Sequence, residues 1–123
     1  MKMLLSLAAV AALAAGPVHA GCTYPKAPEK IPDGNTATLE EMQAAVKAVK
    51  QFDADISAYQ TCLETEYNEA LAKDGASLTE EQKADRAKKL AQKQDAAGTD
   101  SQAAADRLNA QIRVFKEKNK KKE

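Results

Sequence analysis

Histidine and tryptophan are the first absences. The chain of 123 residues has no Trp and a single histidine, His19. That histidine lies inside residues 1–20, which read as a removable export signal, so the mature chain has none, and a histidine-based triad or metal site is excluded. Large apolar side chains are also scarce. Leu, Ile, Val and Phe together number 14 in the 103 residues after position 20, too few for a thick globular core. Glycine-rich phosphate loops and nucleophile-elbow serines do not occur. What is present is helix-forming: Ala, Glu, Lys, Leu and Arg supply 52 of those 103 residues, the composition of long helices or coiled coils.

Met1-Lys2-Met3 forms a positive start, positions 4–15 are apolar apart from one Ser, and Gly16-Pro17 breaks the run before Val18-His19-Ala20. These are the three parts of a secretory signal with cleavage after Ala20. The apolar stretch of 12 residues falls short of the roughly 20 needed to span a bilayer. The expected location is therefore the periplasm or outside the cell. Ala20-Gly21-Cys22 also has the form of a lipoprotein cleavage site, with His19 where that pattern wants an aliphatic residue, so lipidation of Cys22 is carried as an alternative.

Cys22 and Cys62 are the two cysteines, and an oxidising compartment favours pairing them. Closing a loop of 40 residues removes roughly 4 kcal/mol of unfolded-state entropy in the chain-entropy account. An intermolecular bridge, or a free Cys62 if Cys22 is lipidated, are the other arrangements. Nothing resembles C-x-x-C, which argues against a catalytic dithiol.

Residues 21–37 carry Pro25, Pro28 and Pro32 and then Asp33-Gly34-Asn35, an extended arm ending in a turn. Thr38 with Glu41 is a capping-box pattern that opens a helix running to about Lys73. Met42, Val49, Ile56, Leu63 and Ala70 recur every seven residues along it, interleaved by Ala45, Phe52 and Tyr59. Asp74-Gly75-Ala76 interrupts the pattern, and Ser77 with Glu80 or Thr79 with Gln82 opens a second helix. Its apolar positions run from Leu78 through Leu90, Ala97, Ala104 and Leu108 to Ile112 and Phe115. Gly98-Thr99-Asp100-Ser101 is its weak point, where a kink or a fresh cap at Thr99 or Ser101 is expected.

The expected fold is all-α, an antiparallel helical hairpin over residues 38–115, with three helices if Gly98 breaks the second, and an N-terminal arm stapled by Cys22–Cys62. Cys62 lies 24 residues past Thr38, about 36 Å along a helix, and the 16 residues from Cys22 to Thr38 reach roughly 50 Å when extended. The bridge is reachable with the arm folded back along the first helix, where Tyr24 and Ile31 can cover its seam. Residues 38–74 carry a net charge of −5 and residues 77–123 a net +4, which favours the intramolecular pair modestly. Residues 116–123 have no apolar face and are expected to fray as a lysine-rich tail.

Three constellations have the residue types of chemical sites. Asp53, Asp55, Ser57, Thr61 and Glu64 stand at calcium-loop positions 1, 3, 5, 9 and 12, but Ala58 replaces the glycine of the sharp turn and Ile56, Tyr59 and Leu63 continue the helical seam, so a solvated helix face is expected. Glu64, Glu66 and Glu69 have no cleft in which one carboxyl would be desolvated. Lys116, Lys118 and Lys120–122 form a cluster that either solubilises the helix end or touches anionic surfaces; export disfavours nucleic acid. Tyr59, Tyr67, Phe52 and Phe115 read as core filling.

Cys22-Thr23-Tyr24-Pro25, Pro32-Asp33-Gly34-Asn35-Thr36-Ala37-Thr38 followed by Glu40-Glu41-Met42, and Arg107-Leu108-Asn109-Ala110-Gln111-Ile112-Arg113 with Phe115-Lys116 resemble a family of small exported proteobacterial proteins. The resemblance covers most of the chain after position 20 and implies a signal peptide, a cysteine-and-proline arm and long helices. It implies no activity, no cofactor and no catalytic or binding residue. The 92–102 stretch is more polar and glycine-broken than such helices. The functional expectation is a non-enzymatic exported protein working by helical protein–protein contact, with self-association through the exposed side of the 42–63 seam. An envelope-surface binder using the lysine tail or a lipidated Cys22 is the alternative.

Overall fold

The computed structural model describes residues 21–122; the expected secretory signal lies outside the described residues. Two long helices, α1 (Leu39–Asp74) and α2 (Glu80–Lys120), are joined by a single 3-10 turn, Gly75–Ser77. They pack against each other, and the described residues contain no strand.

Each helix starts where a polar side chain can take over an orphan backbone N–H. Thr38 Oγ1 accepts from Glu41 N at 3.1 Å while Thr38 N donates to Glu41 Oε2 at 2.7 Å. Thr79 and Gln82 repeat the reciprocal box at 2.9 and 3.1 Å. Of the two boxes the sequence offered for α2, the one at Thr79 forms. Gly75 ends α1 in ordinary right-handed backbone at φ −59°, the 3-10 turn follows, and Leu78 turns extended before the Thr79 cap.

Met42, Ala45, Val49, Phe52 and Ile56 of α1 pack with Ala97, Ala104 and Leu108 of α2 into one buried cluster, with Ile31 and Ala37 of the N-terminal segment against it. The 42–63 seam is therefore covered within the chain: Met42, Val49, Ile56 and Leu63 are all buried. Polar pairs that bridge the helices run in opposite chain order. Asp53 meets Ser101, and Gln60 meets Gln94.

The expected break at Gly98 is absent, because α2 is continuous through residues 98–101. Of the two cap candidates, Ser101 has a tertiary partner instead, as does Asp100 beside it. The Ser101 hydroxyl donates to Asp53 Oδ1 at 2.6 Å, and Asp100 accepts from the Tyr24 hydroxyl. A glycine in a helix interior costs about 1 kcal/mol, yet α2 runs on through Gly98, next to the fully buried Ala97. The expected fraying after Phe115 is also corrected, since α2 extends to Lys120. Lys118 Nζ donates to the Asn35 carbonyl, joining the turn of the N-terminal segment to the last turns of α2.

Candidate functional site

Long-range hydrogen bonds gather where the N-terminal segment meets the helices. Asp33 organises its turn: Asp33 O accepts from Thr36 N at 3.1 Å and Ala37 N at 2.8 Å, and its side chain accepts from Asn35 N at 2.9 Å. This is the local turn chemistry of an aspartate. Gly34 is then pressed onto α2. Its N–H donates to Gln111 Oε1 at 2.9 Å, and a Cβ there would stand 2.2 Å from Gln111 O and 2.8 Å from Phe115 N. Only glycine lets the turn approach the helix backbone this closely.

At the other end, Cys22 and Cys62 form a disulfide with their Cα atoms 5.7 Å apart. Cys22 N donates to Glu66 Oε1 at 3.1 Å, one helical turn past Cys62. Tyr24 packs edge-on against Tyr59 with ring centroids 5.0 Å apart. Its hydroxyl reaches across to Asp100 of α2. The Asp100 hydrogen bond, with partial desolvation and the carboxylate's charge, holds the Tyr24 phenol protonated and pushes its pKa up to about 12.

The other sequence candidates lie apart from this junction. The residues at calcium-loop spacing, Asp53, Asp55, Ser57, Thr61 and Glu64, belong to uninterrupted α1, where Ser57 and Thr61 donate back to the carbonyls of Asp53 and Ser57 and Asp53 serves Ser101. Glu64 and Glu69 are exposed, and of the three glutamates only Glu66 joins the junction. Lys118 is engaged with Asn35, while Lys116, Lys120, Lys121 and Lys122 are exposed at the end of α2. Phe52 is buried in the core; Tyr59, Tyr67 and Phe115 are half-buried. A shallow recess of about 530 Å³ lies between the N-terminal segment and α1, lined by Lys30, Pro32, Asp33, Ala37, Ala44 and Ala48.

Glu66, Asp100, Gln111 and Ser101 were not singled out as partners by sequence reasoning. Their contacts join residues 44, 76, 77 and 48 positions apart, so no local pattern carries them.

No family model matches the chain, and neither the curated proteins nor the solved structures contain a match to it.

Proposed function

We propose that this protein is an exported, non-enzymatic helical hairpin, its N-terminal arm stapled back along the helices, that works by protein–protein contact. One observation carries the reading: no residue in positions 64–96 is buried, although Tyr67, Leu71, Leu78 and Leu90 lie there, each half-buried. A helix pair with apolar side chains and no third layer over them leaves surface for another protein to cover. The disulfide fits the oxidising compartment that the signal sequence implies. Among the described residues no helix is long and apolar enough to cross a membrane. Membership of the exported proteobacterial family that the arm and turn resemble is part of the same proposal, as is self-association, moved from the covered 42–63 seam to the 64–96 half.

A second reading, an anionic-surface binder, is favoured by the exposed Lys116, Lys120, Lys121 and Lys122 clustered at one helix end. Its lipoprotein form meets an obstacle at Cys22, whose sulfur is bonded to Cys62 and is not free to carry a lipid thioether. Site-specific photo-crosslinking in the envelope fraction tests the main reading, with the probe at Tyr67 or Leu90 and a control probe at exposed Ala54. Protein adducts confined to the first two positions are expected. Equal labelling at all three, or none at any, would overturn it, and anionic-vesicle binding lost on replacing the four lysines would move the assignment to the second reading.

A further inference from the structure

The geometry points to the disulfide junction as a redox-gated metal site: on reduction, Cys22, Cys62 and Glu66 form a binding site for a borderline divalent cation of the zinc class. The donor atoms of these three residues lie within 4.8 Å of one another. Two thiolates and one carboxylate are a donor set for zinc rather than for calcium or magnesium, which prefer oxygen ligands alone.

The backbone is already spaced for the ion. A tetrahedral zinc with Zn–S bonds of about 2.3 Å holds its sulfurs roughly 3.8 Å apart. Rotation about the Cα–Cβ bonds opens the sulfurs to that separation while the Cα atoms stay near their present 5.7 Å. Glu66 is oriented as well. Its Oε1 is held by the Cys22 N–H at 3.1 Å, the kind of backing hydrogen bond that fixes metal-ligating carboxylates, and one carboxylate oxygen lies within 4.8 Å of both sulfurs. The fourth position is left for water. Both cysteines are half-buried, so the ion would be partly shielded yet reachable from solvent.

The chemistry balances with a dithiol reductant. Thiol–disulfide exchange breaks the Cys22–Cys62 bond, yields two protein thiols and leaves the reductant as its disulfide. Binding of one M²⁺ then displaces the two thiol protons into solvent. The same two sulfurs thus have two exclusive closures, a covalent one and a metal-bridged one.

The test uses the full mature chain, reduced with a phosphine under argon and titrated with Zn²⁺ against a chromophoric chelator, and with Co²⁺ for its thiolate charge-transfer band. One equivalent of zinc per reduced chain, a two-thiolate cobalt spectrum and no such binding by the oxidised chain are expected. Glu66→Gln should weaken zinc binding about tenfold with the cobalt band retained. Zinc binding by the reduced chain no tighter than that of Cys62→Ser overturns the site, and unchanged affinity in Glu66→Gln overturns the third ligand. Far-UV circular dichroism follows each titration. If reduction lowers helix content, one equivalent of zinc should restore it, and failure to do so counts against the proposal.

Discussion

The two halves of this molecule use the same helices and differ in what lies over them. In the half built from residues 42–63 and 97–108, even alanines are buried: Ala97 is 0% exposed and Ala45 7%. In the half spanning 64–96, leucines at 71, 78 and 90 are not. Side-chain size does not explain the difference, because the smaller residues are the better buried. The N-terminal segment differs between them: Ile31 and Ala37 pack on the core of the first half, Tyr24 on Tyr59, and Cys22 is bonded to Cys62. Two helices alone shield one stripe of each other; a third layer is needed to close the sides.

The largest contrast should appear in the core itself. Phe52→Ala, at a site 2% exposed, is expected to cost about 3–5 kcal/mol in chemical denaturation, the range for deleting a buried aromatic ring. Leu90→Ala should cost roughly 1 kcal/mol, because solvent already reaches the side chain and no cavity is created. Equal losses at the two sites would break the comparison and require a covered surface in the 64–96 half.

Next in size is the staple. Replacing both cysteines by serine should lower stability by about 2–4 kcal/mol, since the bridge closes a loop of sequence separation 40. Hydrogen exchange should localise the loss. Amides of α1 and α2 that lie beneath the arm should lose protection, whereas amides in 64–96, which never had the third layer, should keep the rates they show in the oxidised protein. A uniform loss along both helices would mean that the halves unfold as one unit.

Glycines offer a contrast of sign. Gly34→Ala should destabilise by about 1–3 kcal/mol, because its methyl would stand 2.2 Å from the Gln111 carbonyl oxygen and the turn must lift off α2. Gly75→Ala in the other half should stabilise by about 0.4–1 kcal/mol. Its backbone is right-handed at φ −59°, and the new methyl would meet only the Leu71 Cβ, at 4.0 Å. Thermal melts of the two variants read the difference directly.

What could be read in the sequence divides along the same line. The Thr38–Glu41 and Thr79–Gln82 boxes are readable because both partners sit three residues apart. The heptad from Met42 to Leu63 is readable because a helix repeats its own face, and the cysteine pairing is readable because the chain has two cysteines. Gly98 was misread for the same reason: taken locally, Gly98-Thr99-Asp100-Ser101 resembles a helix restart. Ser101 and Asp100 instead answer to Asp53 and Tyr24, 48 and 76 positions away. The lysine run was misread alike, because the partner of Lys118 is a carbonyl 83 positions earlier. The anchoring of the arm on α2 is written only in the folded chain.

The smallest effect tests whether that anchoring is felt at all. Tyr24 is 44% exposed, so its bond to Asp100 is worth little at neutral pH, yet it leaves a signature in alkali. The phenol is raised from 10.0 in the unfolded chain to about 12 in the folded one. Above pH 10 the unfolded chain therefore sheds this proton while the folded chain retains it, and the native state binds more protons. Stability from this group is fully present below about pH 10 and drains away as pH rises toward 12. Denaturation of wild type and Tyr24→Phe, compared at rising pH, should show a gap that narrows through this window, and Asp100→Asn should return the tyrosine's absorbance titration toward its ordinary range. No gap at any pH would mean that the ring's contact with Tyr59, which phenylalanine retains, and not the hydroxyl's reach to α2, is what holds the N-terminal segment in place.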